Sequence, residues 1–385
     1  MLEIGVDEIT LVFQLSRNRK SVLGVRDWDS VAEELLEEFV KRAGFLSVFG
    51  DKEKEEKAPE GYKIAYKYGS HPFYFFFAYN PYYPDMGIIV KFSAQALDYY
   101  VEATGLEVYR FMQKVIYPDY TIRLSRIDLT ADYIDEDINI TRIYQNLMDG
   151  RISVFREYTS KKTGKLEYKK VSMGYSGFLK EQDVPTIYIG SVQSDSRLRI
   201  YDKKCEQIEN KGTKFDKAVR CKNWVRFEGV FKHEYAHQIS EQLFNISSDD
   251  EYLNLIALVL VQKFCFMTID KKTGKADVNT DYTQMLLDAI NNKSFKLKAP
   301  STRNYSLMCN IDYIFKGSGI MNTLYKVEEI WGVEAAAYLL EYMAEYLTDE
   351  FEPSNDCLLW LRKNKIDYQK KYPTFNLYIG QNFIG

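Results

Sequence analysis

Residues 186–207, TIYIGSVQSDSRLRIYDKKCEQ, place a phenol between cations on what reads as an extended segment. With the two-residue period of a strand, Arg199, Tyr201 and Lys203 share one face, and Leu198 and Ile200 take the other. A phenol titrates near 10, so it becomes a nucleophile at neutral pH only when a cation or a general base helps remove its proton. Attack on a phosphodiester is the chemistry such a group can do. Two further segments repeat the pattern. RLSRIDLTADY puts Arg126, Asp128, Thr130 and Asp132 opposite Ile127, Leu129 and Ala131, and NWVRFEGVFK puts Arg226 and Glu228 opposite Val225 and Phe227. If the three strands are neighbours, their polar faces converge on one site. Asp128 and Glu228, with Asp132 as a third, have the parity to hold a divalent cation, and oxygen donors favour magnesium or manganese. Arg199, Arg226 and Lys203 could bind the nonbridging phosphate oxygens. Against this stands the plain alternative that Arg126 with Asp128 and Arg226 with Glu228 are surface pairs on a half-exposed sheet.

These strands need a scaffold. Residues 186–189 and 197–201 read as a hairpin broken by Gly190 and Ser191. An opening strand covers residues 9–13. A capping-box pattern at Ser30 and Glu33 then starts a helix with the apolar stripe Val31, Leu35, Leu36, Phe39, Val40 and Ala43. A charged loop fills residues 51–61, strands follow at 62–68, 73–79 and 87–92, and helices at 94–103, 106–116 and 141–148. The elements lack the regular alternation of a doubly wound sheet, so the expected class is α+β: a largely antiparallel sheet backed by helices, with a helical C-terminal part. Helical periodicity dominates after residue 234, at 235–244, 252–267, 282–291 and in VEAAAYLLEYMAEYL. A boundary near residue 248, with Ser247 or Asp249 as a helix cap, divides a catalytic domain, 1–248, from a helical region, 249–385.

Composition sets outer limits. The 385 residues, 46% hydrophobic and 28% charged, describe a folded chain with a sizeable core. The apolar run 253–261 is too short to cross a bilayer and no signal-like amino terminus is visible, so a cytoplasmic, membrane-free protein is expected. Five scattered cysteines have no metal-ligand spacing. A net charge of −4 opposes a generally basic nucleic-acid binder. Local potential matters more, and cations cluster at Lys161, Lys162 and Lys165, at Lys169 and Lys170, at Lys203 and Lys204, at 293–298 and at 362–371. The aromatic run 73–79 offers a stacking surface for a melted strand, although core packing is its commoner use.

One motif competes. HEYAH, residues 233–237, matches the H-E-x-x-H pattern of zinc metalloproteases, with Glu234 as general base and Glu241 or Glu251 as a third ligand. It starts directly after a strand, and the bland reading is a helix whose first turn carries an acidic residue.

The segments RIDLTADY, IYIGSVQSDSRLRIYDKKCEQ and WVRFEGVFKHEYA, with GVDEITLVF, GIIVKFSAQALDYY and YIFKGSGIMNTLYKVEEIWG as looser echoes, resemble the Rep_trans family. These are replication-initiation proteins of rolling-circle plasmids and some phages, together with related relaxases of conjugative elements. The resemblance implies a metal-dependent nicking-joining enzyme acting on single-stranded origin DNA. The tyrosine of RIYDK, Tyr201, would attack a phosphodiester, become linked to the 5′ phosphate and release a 3′ hydroxyl. It also implies dimeric action, a host helicase as partner and origin recognition by the C-terminal part. The alternative on the same fold is a noncatalytic DNA-binding protein.

Overall fold

The computed structural model describes residues 1–16, 28–59, 61–92, 94–159, 166–171, 186–291, 295–297, 307–316, 318–353 and 355–382. By compactness the chain divides into two units, Met1–Ala299 and Pro300–Gly385. The division falls beyond residue 248, because the helix Asp249–Lys263 and the strands after it pack into the first unit.

The first unit holds thirteen described strands: β1 (Leu2–Leu15), β2 (Lys52–Lys54), β3 (Ile64–Ser70), β4 (Phe73–Tyr79), β5 (Ile88–Phe92), β6 (Tyr120–Ile134), β7 (Ile152–Thr159), β8 (Leu166–Lys170), β9 (Thr186–Ile189), β10 (Ser196–Asp202), β11 (Trp224–Lys232), β12 (Cys265–Ile269) and β13 (Ala276–Asn279). Nine form an antiparallel sheet in the order β2-β3-β4-β5-β1-β6-β11-β10-β9. The other four form a smaller sheet, β13-β12-β7-β8. The architecture is the expected α+β, with a large antiparallel sheet and helices.

One face of the large sheet is dry. Ile9, Leu11 and Phe13 of β1, Phe75 and Phe77 of β4, and Ile127, Leu129 and Ala131 of β6 are all buried on it. The helix Trp28–Ala43 lays the anticipated stripe there, with Phe39 stacked on Phe13 at 5.2 Å between ring centres. Ser30 lies inside this helix and not at its cap. The helix Asp249–Lys263 is buried on nearly every side because it packs against β1 and β6 as well as β7 and β12 of the smaller sheet. Its all-round apolarity also hid its end. Phe264 closes it and Cys265–Ile269 is a strand, where sequence periodicity had continued the helix to residue 267. Its cap is Ser248, whose side chain accepts a hydrogen bond from the Glu251 amide. Gly229 is a packing necessity: a Cβ there would lie 2.7 Å from Leu260.

The second unit is helical: Leu307–Lys316, Ile320–Trp331, Val333–Asp349, Asn355–Lys371 and Phe375–Asn382. Tyr368, Tyr372 and Tyr378 pack their rings together within it. Among the described residues, no helix is long and apolar enough to cross a membrane. None of the described cysteines, Cys205, Cys221, Cys265 and Cys357, is in a disulfide.

Candidate active site

The polar face of the large sheet carries the site. Register decides who meets whom: Glu8 lies opposite Asp128, Thr130 opposite Glu228, Asp132 opposite Arg226, Glu228 opposite Arg199 and Arg226 opposite Tyr201. These partners share one face because directly opposed residues of antiparallel strands project to the same side. The three expected strands are thus adjacent, β6 beside β11 beside β10. Gly190, with φ +96°, turns the chain after β9 so that β9 and β10 pair; a Cβ there would lie 3.1 Å from the Ser196 carbonyl oxygen.

At the centre the Tyr201 hydroxyl donates to Glu228 Oε2 at 3.0 Å. Arg199 donates to the other oxygen of Glu228 and lies 3.6 Å from Asp128 Oδ2. Arg126 grips Asp128 with two hydrogen bonds of 2.9 and 2.6 Å and sits 3.0 Å from Glu8. A second knot joins Arg226 to both oxygens of Asp132, at 2.6 and 2.7 Å, and to Asp7. Asp128, Glu228 and Arg226 are almost wholly buried, and charges withdrawn from water this far are tolerable only when paired and hydrogen-bonded, as these are.

The titration behaviour follows. Burial pushes the Tyr201 phenol above its ordinary value, more strongly than Arg226 and Arg199 pull it down, so the group is a neutral phenol at physiological pH. Burial raises the Asp128 carboxyl against the opposing pull of Arg126 and Arg199. Burial likewise raises Glu8. Asp7 goes the other way: burial raises it, but Arg226, Lys203 and Lys214 together hold it below the usual carboxylate range.

The expected residues are distributed unevenly over this geometry. Tyr201, Arg199, Glu228 and Asp128 meet directly. Asp132 and Arg226 form the neighbouring knot, so Asp132 is chelated by a guanidinium beside the centre instead of completing a cage with Asp128 and Glu228. Among the described residues no group of three or more His, Cys, Asp or Glu side chains is arranged as a metal site. Lys203 reaches the site by another route than strand parity. Asp202 caps a new helix, Lys203–Glu209, accepting from the Cys205 amide at 2.8 Å, and the first turn buries Lys203 against Glu206 at 2.8 Å and 5.7 Å from the Tyr201 ring centre. Tyr188 faces the same cleft beneath the Arg197 guanidinium, 4.1 Å from its ring centre.

Asp7 and Glu8 were missed. Glu8 had a signal, since it is out of phase with the apolar Ile9, Leu11 and Phe13. Asp7 had none: the register shift between Val6 and Glu8 is a bulge, and it lets two consecutive acidic residues serve one face. Oε1 of Glu8 is buried and held by its ion pair with Arg126, not by an aligned hydrogen bond. Asp7, Glu8, Arg199, Tyr201 and Glu228 line a cleft of about 350 Å³ closed on one side by the helix Ala94–Thr104.

The H-E-x-x-H segment opens the helix His233–Leu243. His233 has a left-handed φ of +50° and an exposed ring 4.0 Å from Asp195. Burial lowers the His237 pKa, helped by Arg123. Glu234 accepts from Gln238 at 3.2 Å, and Glu251 accepts from Ser247 at 2.8 Å. Of the cationic clusters, Lys161, Lys162, Lys165, Lys293 and Lys298 lie outside the described residues, and Lys204 is tied to the Cys221 carbonyl at 2.7 Å.

A family model described as replication initiation factor matches residues 122–341, which takes in β6 from Ile122 onward and all of β10 and β11. A solved structure described as a rolling circle replication initiator protein from Geobacillus stearothermophilus shares the fold, with a TM-score of 0.51 and 18% identity, over 75% of this chain and 97% of that one. No curated protein matches the chain.

Proposed function

Because the chain belongs to the replication initiation factor family, we propose that it starts rolling-circle replication by nicking and rejoining one DNA strand at an origin, with Tyr201 as the nucleophile. The observation that carries this reading is the 3.0 Å hydrogen bond from the Tyr201 hydroxyl to Glu228, inside a cleft that also presents Arg199 and Lys203 among the carboxylates Asp7, Glu8, Asp98 and Glu206. Burial keeps the phenol protonated, so attack needs a base in contact with it, and Glu228 is that base.

The phenolic oxygen bonds to phosphorus as its proton passes to Glu228, and the bond from phosphorus to the 3′ oxygen breaks. The protein is left on the 5′ phosphate and the released 3′ oxygen takes a proton from solvent. Rejoining reverses this, with the 3′ hydroxyl attacking the phosphotyrosine and Glu228 returning its proton. Arg199 and Lys203, the cations that line the cleft, and Arg226 across the strand pair from the phenol, offset the negative charge that grows on the phosphoryl oxygens.

Oxygen donors suit magnesium or manganese. Asp128 and Glu228 are the carboxylates that would hold such an ion, in the place now taken by the Arg199 guanidinium that bridges them. When bound, such an ion polarises the scissile phosphate. Asp132 and Asp7 hold Arg226 in the adjoining cleft, directly across the strand pair from Tyr201.

The test is incubation with supercoiled and single-stranded origin DNA plus magnesium or manganese, followed by a denaturing gel for protein-linked DNA. Tyr201→Phe should form no adduct. An adduct persisting in that variant would move the nucleophile elsewhere, with Tyr188 next in line.

A further inference from the structure

The polar face of the large sheet does not end at the Tyr201 cleft. A chain of ion pairs crosses it: Glu228 to Arg199, Arg199 to Asp128, Asp128 to Arg126, Arg126 to Glu8, and Glu8 to Lys91 on β5 at 3.7 Å. Lys91 lies directly opposite Phe76 of β4, and Phe76 directly opposite Lys67 of β3. Alternation along β4 sends Phe75 and Phe77 into the core, where they are fully buried, and leaves Tyr74 and Phe76 half-buried on the site's own face. These two rings, with His71, Pro59 and Lys67, line a second cleft of about 430 Å³. The His71 and Tyr74 rings lie nearly parallel, 27° apart with centres 6.2 Å apart.

We propose that this second cleft is a subsite for single-stranded nucleic acid, which receives a base of the same strand that lies at Tyr201 and stacks it on Tyr74 and Phe76. The proposal rests on the nicking reading for what occupies the first cleft. Three observations favour a nucleic-acid strand as occupant. The cleft is continuous with the Tyr201 site across one sheet face, five strand spacings away, or about 24 Å. Cations stand along that line at Arg126, Lys91 and Lys67, where a phosphate backbone would pass. The cleft itself pairs aromatic surface with positive charge, the combination that binds bases without regard to sequence. Glu55 holds Lys67 at 3.1 Å in the absence of a strand and would compete with a phosphate for it.

The experiment measures binding of fluorescein-labelled oligo(dT) by anisotropy at low salt, using the full chain and two lengths, about twenty and about six nucleotides. Tyr74→Ala should weaken the longer oligomer about five-fold or more, the loss expected for one stacked base. Glu55→Gln, at a partly exposed position, should tighten it, because it removes the nearer of the two carboxylates paired with Lys67, leaving Glu53 at 3.9 Å. Crosslinking with 5-iodouracil placed along the longer oligomer should mark the peptide that contains Tyr74 and Phe76 in wild type. Unchanged affinity in both variants with no crosslink in that peptide would overturn the proposal. Self-association of the protein that Tyr74→Ala abolishes, with oligo(dT) binding intact, would give the cleft to a second copy and also overturn it. Binding requires no cleavage, so the two readings fail separately. An adduct lost in Tyr201→Phe while the cleft variants bind normally sinks the subsite alone, and cleft effects without any adduct sink the nucleophile alone.

Discussion

On the proposed reading Glu228 is the residue on which the chemistry turns, because it accepts the hydrogen bond of the Tyr201 hydroxyl while sharing a guanidinium with Asp128. Glu228→Gln keeps shape and hydrogen-bonding reach but cannot accept the proton. Adduct formation in single-turnover assays should slow by about 10²–10⁴-fold, with DNA binding changed far less. A loss confined to binding would reassign Glu228 to positioning. Asp7 makes a stability prediction whose sign is fixed by its lowered pKa: the contribution is present above about pH 4 and lost as pH falls through the lower folded value. Asp7→Asn should therefore destabilise the protein by about 1–3 kcal/mol at pH 7, and the deficit in urea melts should shrink towards pH 2–3. A deficit that stays constant across that range would mean packing, and not charge, holds Asp7 in place. Residues of this kind were legible only in part. Alternation on β6, β10 and β11 exposed Asp128, Arg199, Tyr201 and Glu228 because one face of each strand is buried and the period is strict. It could not reveal Asp7, whose side chain reaches the site through a bulge, or the route of Lys203, where the strand has already become a helix.

Elements with a clean period were read nearly to their ends, as with β4 over residues 73–79 and the helix Trp28–Ala43. The helix Asp249–Lys263 shows why others were not: covered by both sheets, it has no polar face to mark its period or its stop. That environment also strands a charge. Lys263 is buried, 3.8 Å from the centre of the Tyr235 ring, and burial, with Arg156 nearby, lowers its pKa to about 7. The unfolded chain binds a proton here between about pH 7 and 10.5 that the folded chain does not, so stability rises with pH across that window. Lys263→Met should stabilise the fold by a few kcal/mol near pH 6, with the gain fading towards pH 10 in thermal or urea melts. A gain independent of pH would show that better packing, and not the missing charge, is responsible.

At the scale of the molecule, all the site residues lie in the unit Met1–Ala299, and the helices beyond it leave large apolar side chains such as Tyr325, Trp331, Tyr338 and Tyr342 exposed. A fragment comprising residues 1–299 should unfold cooperatively and still form the Tyr201 adduct on single-stranded oligonucleotides. It should lose preference for origin duplex if the helical region supplies that recognition. An unfolded fragment would show that the compact division is not a folding boundary. The bond between Asp7 and Arg226 joins residues 219 positions apart, and Asp132 takes the same arginine from 94 positions away. A nascent chain therefore lacks Arg226 and Glu228 until its eleventh strand has emerged, so on the proposed reading a fragment released before that point has no base for Tyr201.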